Sequence, residues 1–237
     1  MLNIIEVNLN LVVNGLSQSE ENYLKEIFHL GLGDRKKVST NSLAEKLGTK
    51  ASSITDMLKK LADKDLISYE RYRGCQLTGQ GIRIAVQIVR THRLWETFLV
   101  SKMGFRWDEV HDLAEQLEHV HSAKLVDGLD KYLGFPKFDP HGDPIPDKRG
   151  NILDRKSKIP LCETAVNSNV EIVGVTDDSL QLLRYLDEVG LKLGTKLRIL
   201  EKYAFDESLK VRFSNGKQFN LSNKVAANIN VRNVSKT

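Results

Sequence analysis

The sequence predicts a mainly α-helical fold with small β parts, divided among two or three small domains. Apolar residues recur at helical spacing from Ser17 to Leu133, whereas short β-rich runs follow Leu161. The 237 residues exceed the usual length of one domain, and 41% hydrophobic with 28% charged residues is an ordinary globular composition. This composition excludes a disordered or membrane-embedded chain.

The first three predicted helices contain a helix-turn-helix. Ser17 and the residues after it indicate an N-cap followed by first-turn acids, and Gly31 and Gly33 end this helix. A second helix runs from Ser39 to Gly48, and a third begins near Ala51. Their inward faces are Tyr23, Leu24, Ile27, Phe28 and Leu30; Leu43, Ala44 and Leu47; and Ile54, Met57, Leu58 and Leu61.

A β-hairpin follows the third helix. Residues 66–70 and 75–78 have strand character, and Gly74 helps the return between them. A hairpin directly after a helix-turn-helix is a wing, so this part of the chain predicts a winged helix-turn-helix.

Three further helices are predicted after the wing, over residues 82–103, about 107–121, and 122–133. The segment 134–150 then contains four prolines, which predicts an ordered loop or linker instead of a helix. These prolines are Pro136, Pro140, Pro144 and Pro146.

The C-terminal part predicts a small β-barrel. Four β-rich runs cover 170–175, 196–200, 210–213 and 218–221, and Asn215-Gly216 is a strong hairpin turn. The predicted organisation is an extension (1–16), a winged helix-turn-helix (17–81), a helical domain (82–150), a linker (151–165) and a β domain (166–237).

Charge, cysteines and hydropathy narrow the function classes. The net charge of +4 is only mildly basic and does not establish a nucleic-acid partner. Cys75 and Cys162 lie far apart, which argues against a disulfide framework and a thiolate zinc site, so any metal must use nitrogen and oxygen ligands. We find no signal peptide and no transmembrane segment, and we expect a cytoplasmic protein.

Histidines and carboxylates in two helices suggest metal binding. His111, Glu115, Glu118 and His119 share one helical face, and His92 and Glu96 repeat the spacing of one turn in the preceding helix. Two such helices packed together can surround divalent cations with imidazole and carboxylate donors, a set that suits manganese and ferrous iron, although zinc or cobalt could also bind. The alternative is an ordinary solvated face. We leave His121 outside the site, because helical periodicity turns it away from His119.

The exposed face of the third helix suggests DNA binding. It offers phosphate donors and short base-edge readers, and basic residues recur at the predicted wing tip. The candidates are Lys50, Ser52, Ser53, Thr55 and Lys59 on the helix and Arg71, Tyr72 and Arg73 on the wing. Asp56 is the odd member, because its carboxylate repels phosphate. A purely structural helical module is the alternative.

These segments resemble the diphtheria-toxin-repressor family of iron- and manganese-dependent repressors, and especially its manganese-responsive three-domain members. The matching motifs are Glu20-Glu21-Asn22-Tyr23-Leu24-Lys25, the wing Tyr69 to Gly74, Leu77-Thr78, Gly81, His92-Arg93-Leu94, Glu118-His119, Asp139 to Pro146 and Gly190 to Thr195. The resemblance covers nearly the whole chain. It implies a winged helix-turn-helix, a helical dimerisation domain and a C-terminal SH3-like, FeoA-like β-barrel.

The resemblance implies a primary, activating metal site. It assigns Glu115, Glu118 and His119 to that site, with Asn22 from the first helix completing it. Family members usually carry aspartate or methionine in place of Asn22, so this chain departs there and keeps only an amide oxygen. Lys25 stands where the shorter manganese regulators have a liganding glutamate, which places their paired-metal arrangement in doubt here.

The resemblance also implies a secondary site and a preference of metal. The secondary ligands are His92, Glu96 and His111, with Asp177 from the β domain and His141 and Asp139 from the proline-rich loop. Iron-type members have cysteine where this chain has Glu115, a harder ligand that favours Mn(II) over Fe(II).

The implied mechanism is a metal switch. Metal would join the DNA-binding and dimerisation domains, fix the spacing of two recognition helices, and so let a homodimer bind double-stranded operator DNA at metal-uptake genes. No membrane or small-molecule substrate is expected. The candidate dimer face, with an intramolecular core as its alternative, is Leu113, Leu117, Val120, Leu125 and Leu129.

Two alternatives remain from the sequence. One is a metallohydrolase, because metal ligands also activate water, but the motifs H-E-x-x-H and G-x-S-x-G and a phosphate-binding glycine loop are absent. We therefore expect no enzyme activity. The other is a winged-helix regulator that ignores metal.

Overall fold

The computed structural model of the chain describes residues 15–31, 37–153 and 158–234. Two compact units divide the chain, and neither is continuous in sequence. The first is Met1–Trp95, Glu115–Phe135 and Pro146–Asn151; the second is Glu96–Ala114, Pro136–Ile145 and Ile152–Thr237. Gly33 and nearly all of the predicted extension 1–16 lie outside the described residues, and the predicted domain boundaries stay predictions.

The winged helix-turn-helix begins the first unit, as predicted. Its helices are α1 (Gln18–Gly31), α2 (Thr40–Lys46) and α3 (Ala51–Asp63). Ser17 and Glu20 form a capping box, because the backbone N–H of each donates to the side chain of the other at 2.7 and 3.3 Å. The core between the three helices contains five fully buried side chains: Leu24, Leu43, Ile54, Leu58 and Leu61.

The predicted wing is the antiparallel hairpin of β1 (Ile67–Glu70) and β2 (Gly74–Leu77). Val38 attaches to this hairpin by two backbone hydrogen bonds with Cys75, of 2.8 and 2.9 Å. The turn between the strands is exposed, and Tyr72 adopts a φ of 67° there. The register confirms the hairpin that the sequence predicts.

Helix α4 (Gly79–Met103) starts three residues before the predicted start, Ile82. Thr78 explains the difference: its hydroxyl accepts a hydrogen bond from the N–H of Gly81 at 3.1 Å, and its carbonyl accepts from Ile82 at 2.8 Å. Thr78 is thus the N-cap, and Gly79 and Gly81 belong to the first helical turn.

The helix predicted over 107–121 is much shorter than expected. Helix α5 covers His111–Leu117, residues 107–109 form turns, and Glu118 and His119 lie in the turn after the helix. A backbone hydrogen bond of 3.1 Å from Val120 to Leu117 closes that turn. Helix α6 (Ala123–Tyr132), capped by Ser122, confirms the third predicted helix.

The proline-rich segment 134–150 is a loop, as predicted, without helix or strand. In the first unit, the buried guanidinium of Arg90 donates to the carbonyl of Pro146 at 2.9 Å and to Asp130 at 2.8 Å. These bonds hold the last part of the loop. In the second unit, the N–H of Val175 donates to the carbonyl of His141 at 3.0 Å. The loop is therefore ordered by contacts and not by regular structure.

The C-terminal region of the second unit is a six-stranded antiparallel sheet in the order β3-β8-β4-β5-β6-β7. The strands are β3 (Ile159–Pro160), β4 (Asn169–Val175), β5 (Lys196–Lys202), β6 (Leu209–Phe213), β7 (Gln218–Leu221) and β8 (Ile229–Asn233). The four predicted runs are confirmed. Helices α7 (Leu180–Val189) and α8 (Asn223–Ala227) and the strands β3 and β8 were not predicted.

None of the helices within the described ranges is long and apolar enough to span a bilayer.

Candidate metal centre and DNA-binding face

Three side chains of the first unit form a buried cluster of potential metal ligands. One donor atom from each of His92, Glu115 and Glu118 lies within 4.8 Å of the others. His92 comes from α4, Glu115 from the last turns of α5, and Glu118 from the turn that follows. Glu118 is 1% exposed, and its Oε2 lies 2.6 Å from Nδ1 of His92. The structure thus places His92, assigned to the secondary site by resemblance, beside Glu118.

A lysine from the DNA-binding helix α1 occupies the same cluster. Nζ of Lys25 donates to both carboxylate oxygens of Glu118, at 2.7 and 3.0 Å, and to Oε1 of Glu115. Burial lowers the pKa of Lys25, but the charges of Glu118 and Glu115 outweigh it and hold the pKa above its ordinary value. Lys25 is therefore a buried ammonium ion between two carboxylates.

His119 binds a different carboxylate. Its Nδ1 lies 2.6 Å from Oε2 of Glu21, and Nε2 of His121 lies 2.7 Å from Oε1 of the same residue. The expectation that His121 faces away was wrong, because helical periodicity does not extend beyond Leu117, where α5 ends. The shared helical face predicted for His111, Glu115, Glu118 and His119 fails for the same reason.

The surroundings of Asn22 are those expected of a side chain that binds a cation. Its Oδ1 is buried and has no hydrogen-bond partner within the described residues. Burying an amide oxygen unpaired is unfavourable, and a divalent cation would satisfy it. Asn22 and Lys25 are three residues apart on α1, so they lie on neighbouring positions of one helical face. The amide, imidazole and carboxylate donors together fit a divalent metal that prefers nitrogen and oxygen.

The second unit contains a separate group of candidate ligands. Donor atoms of Glu96, Asp139 and His141 lie within 4.8 Å of one another, and all three residues are buried. Nδ1 of His111 lies 3.6 Å from Oε1 of Glu96, although the His111 side chain is half exposed. Asp177 does not join this group: it is exposed, and its Oδ1 accepts from the N–H of Ser179 at 2.8 Å.

The loop orients His141 toward Glu96. Nε2 of His141 donates to the carbonyl of Trp107 at 2.9 Å, and Nδ1 lies 3.6 Å from Oε2 of Glu96. Burial lowers the pKa of His141, but the hydrogen bond and charge of Glu96 outweigh it and raise the pKa to about 9. Asp139 shapes the loop through Oδ1, which accepts from the N–H groups of His141 and Asp143. The arrangement presents one imidazole nitrogen and two carboxylates to a cation.

The predicted DNA-binding residues lie on an accessible surface. Lys50, the N-cap of α3, makes no side-chain capping bond and is exposed, as are Ser52, Ser53, Lys59 and the wing residues Arg71 and Arg73. Thr55 is half-buried, and its hydroxyl donates to the carbonyl of Ala51 at 3.0 Å. Asp56 pairs with Lys59 at 3.5 Å, which reduces the repulsion its carboxylate exerts on phosphate.

Comparisons with known proteins define the class. Residues 15–75 match the N-terminal DNA binding domain of the iron dependent repressors, and residues 78–147 match their metal binding and dimerisation domain. Residues 159–233 match the FeoA domain. This order is the one that the sequence predicts.

Individual relatives agree with this class. The chain is 30% identical to the transcriptional regulator MntR of Oceanobacillus iheyensis, covering 65% of this chain and 97% of MntR. It is 31% identical to the iron-dependent repressor IdeR of Mycobacterium tuberculosis, covering 56% of this chain and 58% of IdeR. It is 36% identical to a probable metal transport system membrane protein of Chlamydia trachomatis, covering 55% of this chain but only 30% of that protein.

Solved structures show the same similarity across the domains. A manganese-dependent transcriptional repressor in complex with manganese has a TM-score of 0.80 and 37% identity, covering 91% of this chain and 100% of that one. ScaR with bound Zn²⁺ has a TM-score of 0.72 and 32% identity, covering 91% and 99%.

The fold and both ligand clusters define a metal-dependent, DNA-binding transcriptional regulator. The chain belongs to the iron-dependent repressor family. Membership confirms the resemblance, the three-part fold and the regulator class over the metallohydrolase, because the family consists of regulators that bind DNA and dimerise.

Proposed function

We propose that this chain is a cytoplasmic repressor of metal-uptake genes, which binds operator DNA as a homodimer when Mn(II) or Fe(II) is bound. The observation that carries the proposal is the contact between α1 and the segment Glu115–His121. Glu21, Asn22 and Lys25 all lie on α1, which also packs in the helix-turn-helix. A change of charge at this contact therefore acts directly on the DNA-binding helices.

The proposed primary ligands are Asn22, Glu115 and Glu118, joined by His92, which contacts Glu118. The resemblance adds His119, whose Nδ1 contacts Glu21 in the metal-free chain and would have to leave it to reach a metal. A bound divalent cation supplies the positive charge that holds these oxygens and nitrogens together. Asn22 contributes from α1, whereas Glu115 and Glu118 contribute from the segment after α4. A metal held by these residues would tie α1 to the segment after α4 and so restrict the position of α3 and the wing. The donor set suits Mn(II) and Fe(II).

The second group supports a second metal ion. We assign Glu96, His111, Asp139 and His141 to it and leave Asp177 outside, because Asp177 is exposed and bonded to Ser179. The DNA-binding residues remain those of α3 and the wing: Lys50, Ser52, Ser53, Thr55, Lys59, Arg71 and Arg73.

The test is a DNA-binding titration at fixed salt, because salt alone changes protein–DNA affinity. Fluorescence anisotropy measures binding to a promoter fragment with Mn(II), Fe(II) or Zn(II) and with a chelator. The native chain is expected to bind tightly only with metal. Glu118→Gln should lose at least about tenfold in metal-dependent affinity, within the usual range of allosteric coupling.

The matched control is Glu188→Gln, which changes an exposed glutamate on α7. It should bind DNA as the native chain does. Equal DNA affinity with metal and with chelator would contradict the metal switch and favour a winged-helix regulator that ignores metal. Multiple turnover of a phosphoester would instead favour a metallohydrolase.

A further inference from the structure

Lys25 stands at the centre of the primary cluster although its ammonium group cannot be a metal ligand. Its side chain is 5% exposed, and its ammonium group contacts both Glu115 and Glu118. We propose that Lys25 is the internal cation of the metal-free site, and that a divalent metal must expel its ammonium group to bind. This inference rests on the proposed metal site, and it adds a competitor that sets the metal concentration at which the site fills.

Burial explains why the metal-free site needs this lysine. The side chain of Glu118 is completely buried, and Glu115 is largely buried, with 29% of its side chain exposed. Two neighbouring carboxylates removed from water repel each other and lose their hydration. The ammonium group lies beside both carboxylates and offsets one of their two negative charges, so the metal-free site carries less uncompensated charge than the carboxylates alone.

The same oxygens serve the metal and the lysine. Nζ of Lys25 lies 2.7 and 3.0 Å from the two oxygens of Glu118, one of the residues whose donor atoms cluster within 4.8 Å. An ammonium ion has no lone pair and cannot become a ligand. A divalent cation beside it would also experience strong charge repulsion at low dielectric. Metal and ammonium are therefore mutually exclusive occupants.

The exchange takes place on one helix. Asn22, whose buried Oδ1 has no hydrogen-bond partner among the described residues, precedes Lys25 by three positions on α1. When the ammonium leaves, Asn22 can replace it as the contribution of α1 to the site. The contact between α1 and the Glu115–Glu118 segment is then kept, but an ion pair is exchanged for a metal ligand.

The first test measures metal affinity without DNA. Lys25→Met removes the charge and keeps an unbranched side chain, and isothermal titration calorimetry with Mn(II) should show at least about tenfold tighter binding than in the native chain, within the range typical of site coupling. Lys64→Met is the matched control, because Lys64 pairs with the buried Glu20 of the same helix at 2.6 Å. It should leave Mn(II) affinity unchanged. Unchanged or weaker Mn(II) binding in a folded Lys25→Met chain would overturn the proposal.

The second test uses the native chain, so it does not depend on how the variant folds. Lysines are acetylated with and without Mn(II), and the modified positions are mapped by mass spectrometry. Lys25 should be protected in chelator and become reactive with Mn(II), whereas Lys64 should not change. If Lys25 stays protected when Mn(II) is bound, ammonium and metal coexist and the proposal is wrong. Neither test contains DNA, so a failed DNA switch and a failed cation exchange give different results.

Discussion

Asp108 carries a buried carboxylate between two arginines of the second unit. Its oxygens accept from Nε of Arg106 at 2.9 Å and from Nε of Arg184 at 3.2 Å. Burial raises the pKa of Asp108, but the hydrogen bonds and charge of Arg106 and the hydrogen bond from Arg184 outweigh it and hold the pKa below its ordinary value of 3.8. The carboxylate thus joins the segment before α5 to helix α7.

We expect Asp108→Asn to lose about 1–3 kcal/mol of stability at neutral pH, because a charged acceptor is removed from a buried site. A folded-state pKa below the unfolded value gives stability that is present above the unfolded pKa and is lost as pH falls through the folded one. Urea unfolding between about pH 3 and pH 7 should therefore show native and variant curves converging at low pH.

The control for Asp108 is Asp178→Asn, which changes an exposed aspartate of the same unit. Its stability should follow the native curve at every pH. A gap between native and Asp108→Asn that stays constant with pH would show that the carboxylate charge contributes nothing.

The residues that sequence patterns missed are those whose partners come from distant segments. Glu21 fits a first-turn acid at the start of α1, yet it is 1% exposed and binds His119 and His121, about a hundred positions later. Helical spacing relates only near neighbours, so it could not reveal this pairing. Glu115 and Glu118 were predicted by helical spacing and by resemblance, and the structure brings them together although the helix on which the spacing depends ends at Leu117.

The loop that carries His141 depends on one glycine. Gly142 has a φ of +84°, and a Cβ there would lie 2.1 Å from the carbonyl oxygen of Val173 in β4. Only glycine permits both the backbone conformation and this close approach. The position of His141 beside Glu96 is thus determined by the fit of the loop against the sheet.

We expect Gly142→Ala to destabilise the chain by about 2 kcal/mol or more beyond a matched glycine substitution, because it adds a clash with backbone. Gly190→Ala is the match: Gly190 has a φ of +80°, and no atom of the described part of the chain lies within 4 Å of the added Cβ. Both variants place a side chain at a positive φ, but only Gly142→Ala adds a clash with the backbone of Val173. Equal unfolding midpoints for Gly142→Ala and Gly190→Ala would contradict the close packing of Gly142 against β4.

Among the elements, α7 was missed although its sequence contains helix signals. Ser179 precedes it, Leu183 and Leu186 are its buried residues, and Gly190 ends it with a left-handed C-cap. The β-rich runs on both sides favour a wholly β domain and obscure the helical spacing between them. The winged helix-turn-helix was predicted well because caps, apolar spacing and turn glycines agree there.

At the scale of the whole molecule, metal and DNA must raise each other's binding affinity by the same factor. We expect Mn(II) to raise operator affinity, and operator DNA to raise Mn(II) affinity, by one common factor of about 5- to 150-fold. Anisotropy with and without Mn(II) gives the first factor, and calorimetry with and without the operator gives the second. Two clearly different factors under identical salt would show that the two ligands do not share one equilibrium.

Most of the fold class follows from sequence because each region has a consistent local pattern, but the division into units does not. The boundary passes through α4 between Trp95 and Glu96, and through α5 between Ala114 and Glu115. A continuous helix gives no local sign of such a division, since caps and turn residues mark only the ends of helices.

Because segments of the two units alternate along the chain, the ribosome also synthesises them in alternation. The first unit ends only with Pro146–Asn151, after Glu96–Ala114 and Pro136–Ile145 of the second unit have been synthesised. Domains generally fold as units while the chain emerges from its N-terminus. The hydrogen bond from Arg90 to the carbonyl of Pro146 can form only after Pro146 has been synthesised, so the first unit completes its contacts later than the end of its own helix-turn-helix.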